Sequence, residues 1–191
     1  MIVVLTEEAS MRECLEVLIP RLWPNSIPGK DWIALSFQGK NDLEKSIPRK
    51  MRSWNYGNPH FIILRDNDGG DCFAIKRRLR DIAQRGNRPF HVRIVCQELE
   101  SWLLGDLDAM KLAYPRMEDV SSRPKFRNPD ALTNPSQQLD SLVNERTKTG
   151  RAKNISQHFD LTANRSKSFN VFIATLRTEI RKRSPAPSTP L

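Results

Sequence analysis

The sequence predicts an α/β protein in which helices flank a mostly parallel four-stranded sheet. Two observations predict this fold class: short apolar runs rich in β-branched residues recur along the chain, and segments with helical periodicity alternate with them. At 191 residues and 38% apolar composition, the chain is also long enough for one well-packed core.

The first 54 residues predict two strands and two helices. IVVL is a β-branched run, and DWIALSFQG is a second strand. Between them, Ser10 and Glu13 have the spacing of a capping box, so we expect a helix that starts at Ser10 and runs to about Leu22. The stretch NDLEKSIPRKMRSW predicts a weak helix that Pro48 interrupts.

The next 60 residues predict two more strands. HFIILRD is the third strand, and Asp71 can cap the helix that follows it and ends at Gly86. FHVRIVC is the fourth strand, and ELESWLLGDLDAMKLAYP predicts a helix broken at Gly105. This alternation of strands and helices is the basis for the parallel sheet.

Beyond Pro115 the chain is rich in proline and polar residues, which predicts a long loop followed by helices at 136–146 and 168–182. We therefore expect three regions: an α/β domain at 1–114, a loop-rich and helical extension at 115–183, and a disordered tail at 184–191. The last helix has an apolar stripe that most simply belongs to the core: Phe169, Phe172, Ile173, Leu176 and Ile180.

Charge and cysteine content limit the classes of partner and compartment. The net charge of +9 and the sequence pI of about 9.8 favour a polyanionic partner such as nucleic acid, with a basic solvated surface as the alternative. The three cysteines, Cys14, Cys72 and Cys96, form no Cys-x-x-Cys pair, which favours a reducing cytosol and argues against a structural zinc site. No apolar stretch approaches the length of a membrane span, so we expect a soluble cytoplasmic protein.

Acidic residues follow three of the predicted strands: Glu7 and Glu8, then Asp66 and Asp68, then Glu98 and Glu100. Because ligands of open parallel sheets bind at the carboxyl ends of the strands, we expect these carboxylates to converge. Converging carboxylates repel one another unless a cation neutralises them. An all-oxygen set without His or Cys favours Mg²⁺ or Mn²⁺.

A glutamate after the first strand and Asp-x-Asp after the third resembles the Toprim superfamily, the metal-binding domain of topoisomerases, primases and OLD-type nucleases. The resemblance covers about residues 1–105, with Glu7 at the family's strand-one glutamate and Asp66 and Asp68 at its Asp-x-Asp. Nearly the whole chain resembles a Toprim-like family, domain of unknown function 4276, in the stretches LIPRLWP, RDNDGGDCFAIKRRL, QELESWLLGDLDAM, FRNPDAL and NRSKSF. Glu8 stands where that family usually has glycine, which leaves the choice between Glu7 and Glu8 open.

The resemblance implies a metal-dependent nuclease in which Glu7, Asp66 and Asp68 hold one or two Mg²⁺ or Mn²⁺ ions. Glu98 or Glu100 would bind a second ion or orient water; the alternative is that both lie on the exposed face of a helix.

Basic residues complete this predicted site. Lys148 lies where the family tends to place a lysine, which implies that it stabilises charge at the scissile phosphate. Arg77, Arg78 and Arg80 would bind phosphates of the nucleic acid, with a solvated helix face as the alternative.

The function predicted from the resemblance is a nuclease that serves as the effector of a bacterial antiphage defence module. A topoisomerase is disfavoured because Tyr56 and Tyr114 have no further domain around them, and a primase would bring more chain. OLD-type nucleases also carry an ATPase, but this chain has no Gly-x-x-x-x-Gly-Lys-[Ser/Thr] phosphate loop, so we expect a separate ATPase that docks on the C-terminal region. DNA is favoured over RNA as substrate, and a homo-oligomer is left open.

The alternative function is a non-catalytic Toprim-like subunit that binds nucleic acid or regulates the ATPase.

Overall fold

Four parallel strands form the centre of the protein. The computed structural model describes residues 1–183, so the predicted tail at 184–191 lies outside the described residues. The strands lie in the order β2-β1-β3-β4 and have these bounds: β1 Ile2–Thr6, β2 Trp32–Ser36, β3 His60–Asp66 and β4 Phe90–Val95. All three strand pairs are parallel, which confirms the predicted α/β sheet.

Eight α-helices connect and cover the strands within residues 1–183. Three of them join successive strands: α1 Ala9–Leu22, α2 Lys40–Arg52 and α3 Cys72–Gln84. The other five follow β4: α4 Glu100–Leu104, α5 Leu107–Ala113, α6 Pro135–Asp140, α7 Lys148–Ser156 and α8 Lys167–Arg181. None of these helices is long and apolar enough to cross a membrane.

The sheet is buried on both faces, because successive side chains of a strand point to opposite sides. Val3 and Leu5 of β1 pack in a core with α2 and α3. Ile2 and Val4 pack on the other face, in a larger core with residues of α1, α4, α5, α7 and α8. Burial on both faces explains why the strands are continuous apolar runs in the sequence.

The C-terminal region completes this larger core. Helix α7 packs along α1, and α8 packs on β4. All five apolar residues of the α8 stripe are at most 7% exposed, so the stripe belongs wholly to the core and leaves no part for docking an ATPase. The larger core thus contains residues from both sides of the predicted boundary after residue 114, and that boundary stays a prediction.

The start of α1 differs from the prediction. The helix begins at Ala9 with Glu8 as its N-cap residue, so the predicted capping box was wrong. Ser10 lies buried in the first turn, and its hydroxyl donates a hydrogen bond to the Glu8 carboxylate instead of capping the helix.

The prediction that Pro48 interrupts the second helix was also wrong. Helix α2 continues through Pro48 because Leu43, Ile47 and Met51 are fully buried on one face of it. Their burial outweighs the hydrogen bond that proline removes.

The helices after β3 agree in part with the bounds predicted from the sequence. Asp71 caps α3, as expected, by accepting from the Phe73 amide at 2.8 Å. A break at Gly105 separates α4 from α5, where a Cβ would lie 2.2 Å from Asn164 Oδ1. The helix expected at 136–146 ends at Asp140, and α7 was not predicted.

Candidate metal and catalytic site

The loop after β3 gives its three aspartates different environments. Asp66 is the last residue of β3 and is 6% exposed, whereas Asp68 lies exposed at the tip of the loop. Asp68 has a φ of 48° and Gly69 a φ of 74°, a left-handed pair that reverses the chain. Asn67 holds the loop in place, since its side chain donates to Gly70 O at 2.8 Å and accepts from the Gln97 amide. Asp71 is committed to the α3 cap, which leaves Asp66 and Asp68 for chemistry.

The carboxyl ends of β1, β3 and β4 bring five acidic side chains within electrostatic reach of one another. We call this set the acidic cluster; its members are Glu7, Glu8, Asp66, Asp68 and Glu100. Burial, followed by the charges of Glu8 and Glu7, raises the pKa of Asp66 well above its ordinary value. The cluster is therefore a place where negative charge is costly unless a cation is present.

Burial raises the pKa of the flanking glutamates as well. For Glu7, the charge of Asp68 adds to this increase in pKa, while Arg65 opposes it. For Glu100, burial also raises the pKa, and Lys148 opposes the increase. Both glutamates thus combine a buried carboxyl group with one nearby basic residue.

Three buried oxygens of the acidic cluster accept no hydrogen bond within residues 1–183: Glu7 Oε2, Asp66 Oδ1 and Glu100 Oε2. A buried polar atom without a partner typically costs about 1–3 kcal/mol. Oxygens of this kind are the ligands that a hard divalent cation prefers, so the donor set fits Mg²⁺ or Mn²⁺.

Three basic side chains surround the acidic cluster. Lys148, at the start of α7, places Nζ 3.7 Å from Glu100 Oε1. Arg65 Nε lies 3.7 Å from Glu7 Oε2, and Lys40 Nζ lies 3.5 Å from Asp68 Oδ2. Burial by itself would lower the pKa of Lys148, but the charges of Glu100 and the neighbouring carboxylates raise it, which keeps the ammonium protonated.

The match to the domain of unknown function 4276 (DUF4276) covers residues 6–177. The chain belongs to this family. Among solved structures, the DUF4276 chain is similar to the C-terminal region of the Burkholderia pseudomallei OLD protein, at 16% identity and a TM-score of 0.51. The similarity covers 95% of this chain and 97% of that chain, and it shows the Toprim-like fold. No curated protein matches the DUF4276 chain in sequence.

Glu98 has a structural contact beside the acidic cluster of the DUF4276 chain. One of its carboxylate oxygens accepts from the Ser136 amide at 3.0 Å, in the first turn of α6. Glu100 is 2% exposed, so it does not lie on an exposed helix face, which was the alternative to a metal-binding role. Of these two glutamates, Glu100 is the one with a free buried oxygen.

The three arginines predicted to bind nucleic acid are exposed but do not share one environment. Arg78 Nη2 lies 2.6 Å from Glu44 Oε2, while Arg77 and Arg80 line a separate hollow on α3. The other oxygen of Glu44 accepts from Arg65 Nη1 at 2.7 Å. Arg78 is therefore tied to α2, and only Arg77 and Arg80 share an open surface.

Arg65 and Glu44 are residues of the site that the sequence analysis missed. Arg65 is 7% exposed and directly follows the four apolar residues of β3. A buried guanidinium needs a carboxylate partner, so an arginine near the end of the buried strand HFIILRD was the signal that could have pointed to Glu44 and Glu7.

A second polar cluster lies at the opposite edge of the sheet, at the amino end of β3. His91 Nε2 lies 3.2 Å from Glu179 Oε1, and His60 Nδ1 lies 3.4 Å from Glu179 Oε2. Among residues 1–183, only these three place potential metal-ligating atoms within 4.8 Å of one another, so the carboxylates of the acidic cluster are more widely spaced than a closed ligand set. Glu179 also accepts from Lys182 at 2.7 Å and Arg183 at 2.8 Å, and these ion pairs neutralise it.

Proposed function

We propose that this DUF4276 protein is a divalent-metal-dependent nuclease that hydrolyses phosphodiester bonds. The observation that supports this most directly is the group of three buried carboxylate oxygens that accept no hydrogen bond within residues 1–183, with the Lys148 ammonium beside one of these carboxylates, Glu100. A structural role alone would leave these oxygens uncompensated, whereas one or two divalent cations that draw the carboxylates closer together would satisfy them.

In this proposal Glu7, Asp66 and Glu100 hold Mg²⁺ or Mn²⁺ through their free oxygens. Asp68 adds a carboxylate from the exposed loop tip when it leaves Lys40, a pair that is largely solvent-exposed and therefore weak. An ion bound there supplies polarisation of a phosphoryl oxygen and a more acidic water. Glu8 contributes negative charge, while its contact with Ser10 keeps it at the start of α1.

The remaining residues orient these groups and bind the substrate. Arg65, paired with Glu44 at 2.7 Å, remains beside Glu7 and limits the movement of that carboxylate. Lys148 is half exposed and stays protonated, so it can donate to an oxygen of a phosphate that enters the site. The net charge of +9 favours a polyanionic substrate, for which we propose DNA before RNA.

Cleavage by the purified chain tests this function. We expect DNA, and RNA to a lesser extent, to be cut in Mg²⁺ or Mn²⁺ and to remain intact in EDTA. The assay is run with the chain alone and with an ATPase encoded beside it, because we also propose that a separate ATPase controls the nuclease within an antiphage defence module. Nucleic-acid binding without cleavage in either case would favour a non-catalytic binding or regulatory subunit instead.

Substitution of Lys148 separates substrate chemistry from metal binding. Lys148→Met removes a positive charge 3.7 Å from Glu100 while keeping much of the aliphatic side chain. We expect the cleavage rate to fall by about 100-fold, because a charged donor to the transition state is lost. Metal affinity, measured by calorimetry, should stay the same or increase, because a competing cation is removed.

Lys153 on the same helix is exposed and provides the matched control for this substitution. Lys153→Met should cleave at the wild-type rate. Equal cleavage rates for the two variants would contradict the role of Lys148.

A further inference from the structure

An exposed aromatic side chain follows the loop that carries two members of the acidic cluster. Phe73 is 82% exposed, more than any other large apolar side chain within residues 1–183. It lies in the first turn of α3, directly after the loop that carries Asp66 and Asp68. Because α3 starts where β3 ends, Phe73 lies at the same edge of the sheet as the acidic cluster.

Phe73 lines two concave surfaces, and the lining of each contains more basic than acidic residues. On one side, a hollow of about 520 Å³ is lined by Lys76, Arg77 and Arg80, with Asp81 as its acidic residue. On the other side, a cavity of about 490 Å³ is lined by Lys76, Arg93 and Lys167. We call the exposed Phe73 side chain, together with the two hollows that it lines, the Phe73 ridge.

Most of the basic charge on the Phe73 ridge is free to bind an anion. No ion pair within residues 1–183 engages Lys76, Arg77, Arg80 or Lys167. The acidic residue in the cavity, Asp130, accepts from Ser166 Oγ at 2.6 Å and from the Ser168 amide at 2.9 Å and is occupied by these bonds.

We propose that the Phe73 ridge binds single-stranded nucleic acid, with one unpaired base stacked on the Phe73 ring and the phosphates held by Lys76, Arg77 and Arg80. An aromatic face between unpaired cations is the arrangement that recognises unpaired nucleotides, because it offers a surface for the base and charge for the backbone. In a duplex the base faces are already stacked and cannot reach Phe73. This inference rests on the proposed nuclease function. It implies that the substrate is single-stranded DNA, or a single-stranded segment within a longer DNA.

Binding is measured by fluorescence anisotropy in EDTA, so that no cleavage occurs. Three labelled probes are compared: oligo(dT) of about 12 nucleotides, an abasic strand with the same number of phosphates, and a duplex. We expect the wild-type chain to bind oligo(dT) about tenfold more tightly than the abasic strand. Phe73→Ala should lose this preference without weakening abasic binding, and Phe73→Trp should keep it.

A charge variant tests the second half of the proposal. The triple substitution Lys76→Gln, Arg77→Gln and Arg80→Gln should weaken oligo(dT) and abasic binding by the same factor and reduce the salt dependence of both. Unchanged affinities for both strands would overturn the assignment of the phosphate contacts.

Three outcomes would overturn the role of Phe73. One is an unchanged dT preference in Phe73→Ala, and another is tighter binding of the duplex than of oligo(dT). The third is an unchanged dT preference in Phe73→Ala together with a change in its oligomeric mass, measured by light scattering. In that case the Phe73 ridge would be an interface between protein subunits. Cleavage in Mg²⁺ is measured separately. If the protein cuts but shows no dT preference, the nuclease proposal stands and the binding proposal fails. If it prefers oligo(dT) but does not cut, only the binding proposal stands.

Discussion

Asp66→Asn is expected to abolish metal-dependent cleavage while leaving the protein folded. The substitution keeps the shape of the side chain but removes a buried carboxylate of the acidic cluster. Loss of a metal ligand removes about 4 kcal/mol of transition-state stabilisation, which corresponds to roughly a thousandfold decrease in rate. The cleavage assay in Mg²⁺ measures this decrease.

The thermal melt of Asp66→Asn should move in the opposite direction to its activity. Without metal, the variant is expected to melt at a higher temperature than the wild type, because one of several mutually repelling buried carboxylates is gone. Addition of Mg²⁺ should raise the melting temperature of the wild type but not of the variant.

Glu16→Gln is the matched control, since it removes a negative charge from the exposed side of α1, where Glu16 pairs with Arg12 at 3.5 Å. It should cut at the wild-type rate. Cleavage by Asp66→Asn as fast as by this control would refute the metal site.

Glu179→Gln is expected to produce the largest loss of stability. Glu179 is inaccessible to solvent and accepts from Lys182 and Arg183 within α8, with His60 and His91 beside it on the sheet. Loss of this buried charge leaves Arg183, which is 19% exposed, without its ion-pair partner and costs about 3 kcal/mol, whereas Lys182 is largely solvent-exposed and adds little. Urea denaturation at pH 7 measures this loss. The exposed pair of Glu16 is the control, because breaking it costs about 0.5 kcal/mol or less.

The effect of Glu179→Gln should disappear in acid. Burial alone would raise the pKa of Glu179, but the hydrogen bonds from Lys182 and Arg183 lower it to about 2, below the ordinary value of 4.5. The stabilisation by the carboxylate is therefore complete above pH 4.5 and is lost as the pH falls towards 2. A difference between the wild type and Glu179→Gln that is constant from pH 7 to pH 3 would contradict this.

His60 makes the folded protein sensitive to acid over a higher pH range than Glu179 does. Its burial lowers its pKa to about 4, from an ordinary 6.5. Between these two values the unfolded chain binds a proton that the folded chain does not, so wild-type stability should decrease as the pH falls from 6.5 to 4. The same denaturation series shows both effects.

The strands and their direction could be predicted from local patterns. HFIILRD was expected as a strand and forms β3 over His60–Asp66, because the four consecutive apolar residues 61–64 suit a sheet buried on both faces. The meeting of Glu7 with Asp66 at one edge follows from the parallel arrangement, since each residue comes directly after or at the end of its strand. Their role as metal ligands stays a prediction.

Contacts between distant segments could not be predicted in this way. Lys148 reaches Glu100 because α7, which showed no clear helical pattern, packs along α1. His91 and Glu179 are 88 residues apart and meet only when α8 covers β4. Neither contact has a sequence spacing that a helix or strand repeat would produce.

By itself, the sequence determined the parallel α/β sheet, the placement of acidic residues at its carboxyl edge and the apolar stripe of α8, because each depends on residues that are neighbours along one strand or helix. Only the tertiary structure decided which of the acids are buried and unpaired, and that Arg78 pairs with Glu44. The physical reason is that the energy of a charge depends on its burial and on its partners, and both are set by the packing of segments that are far apart in the chain.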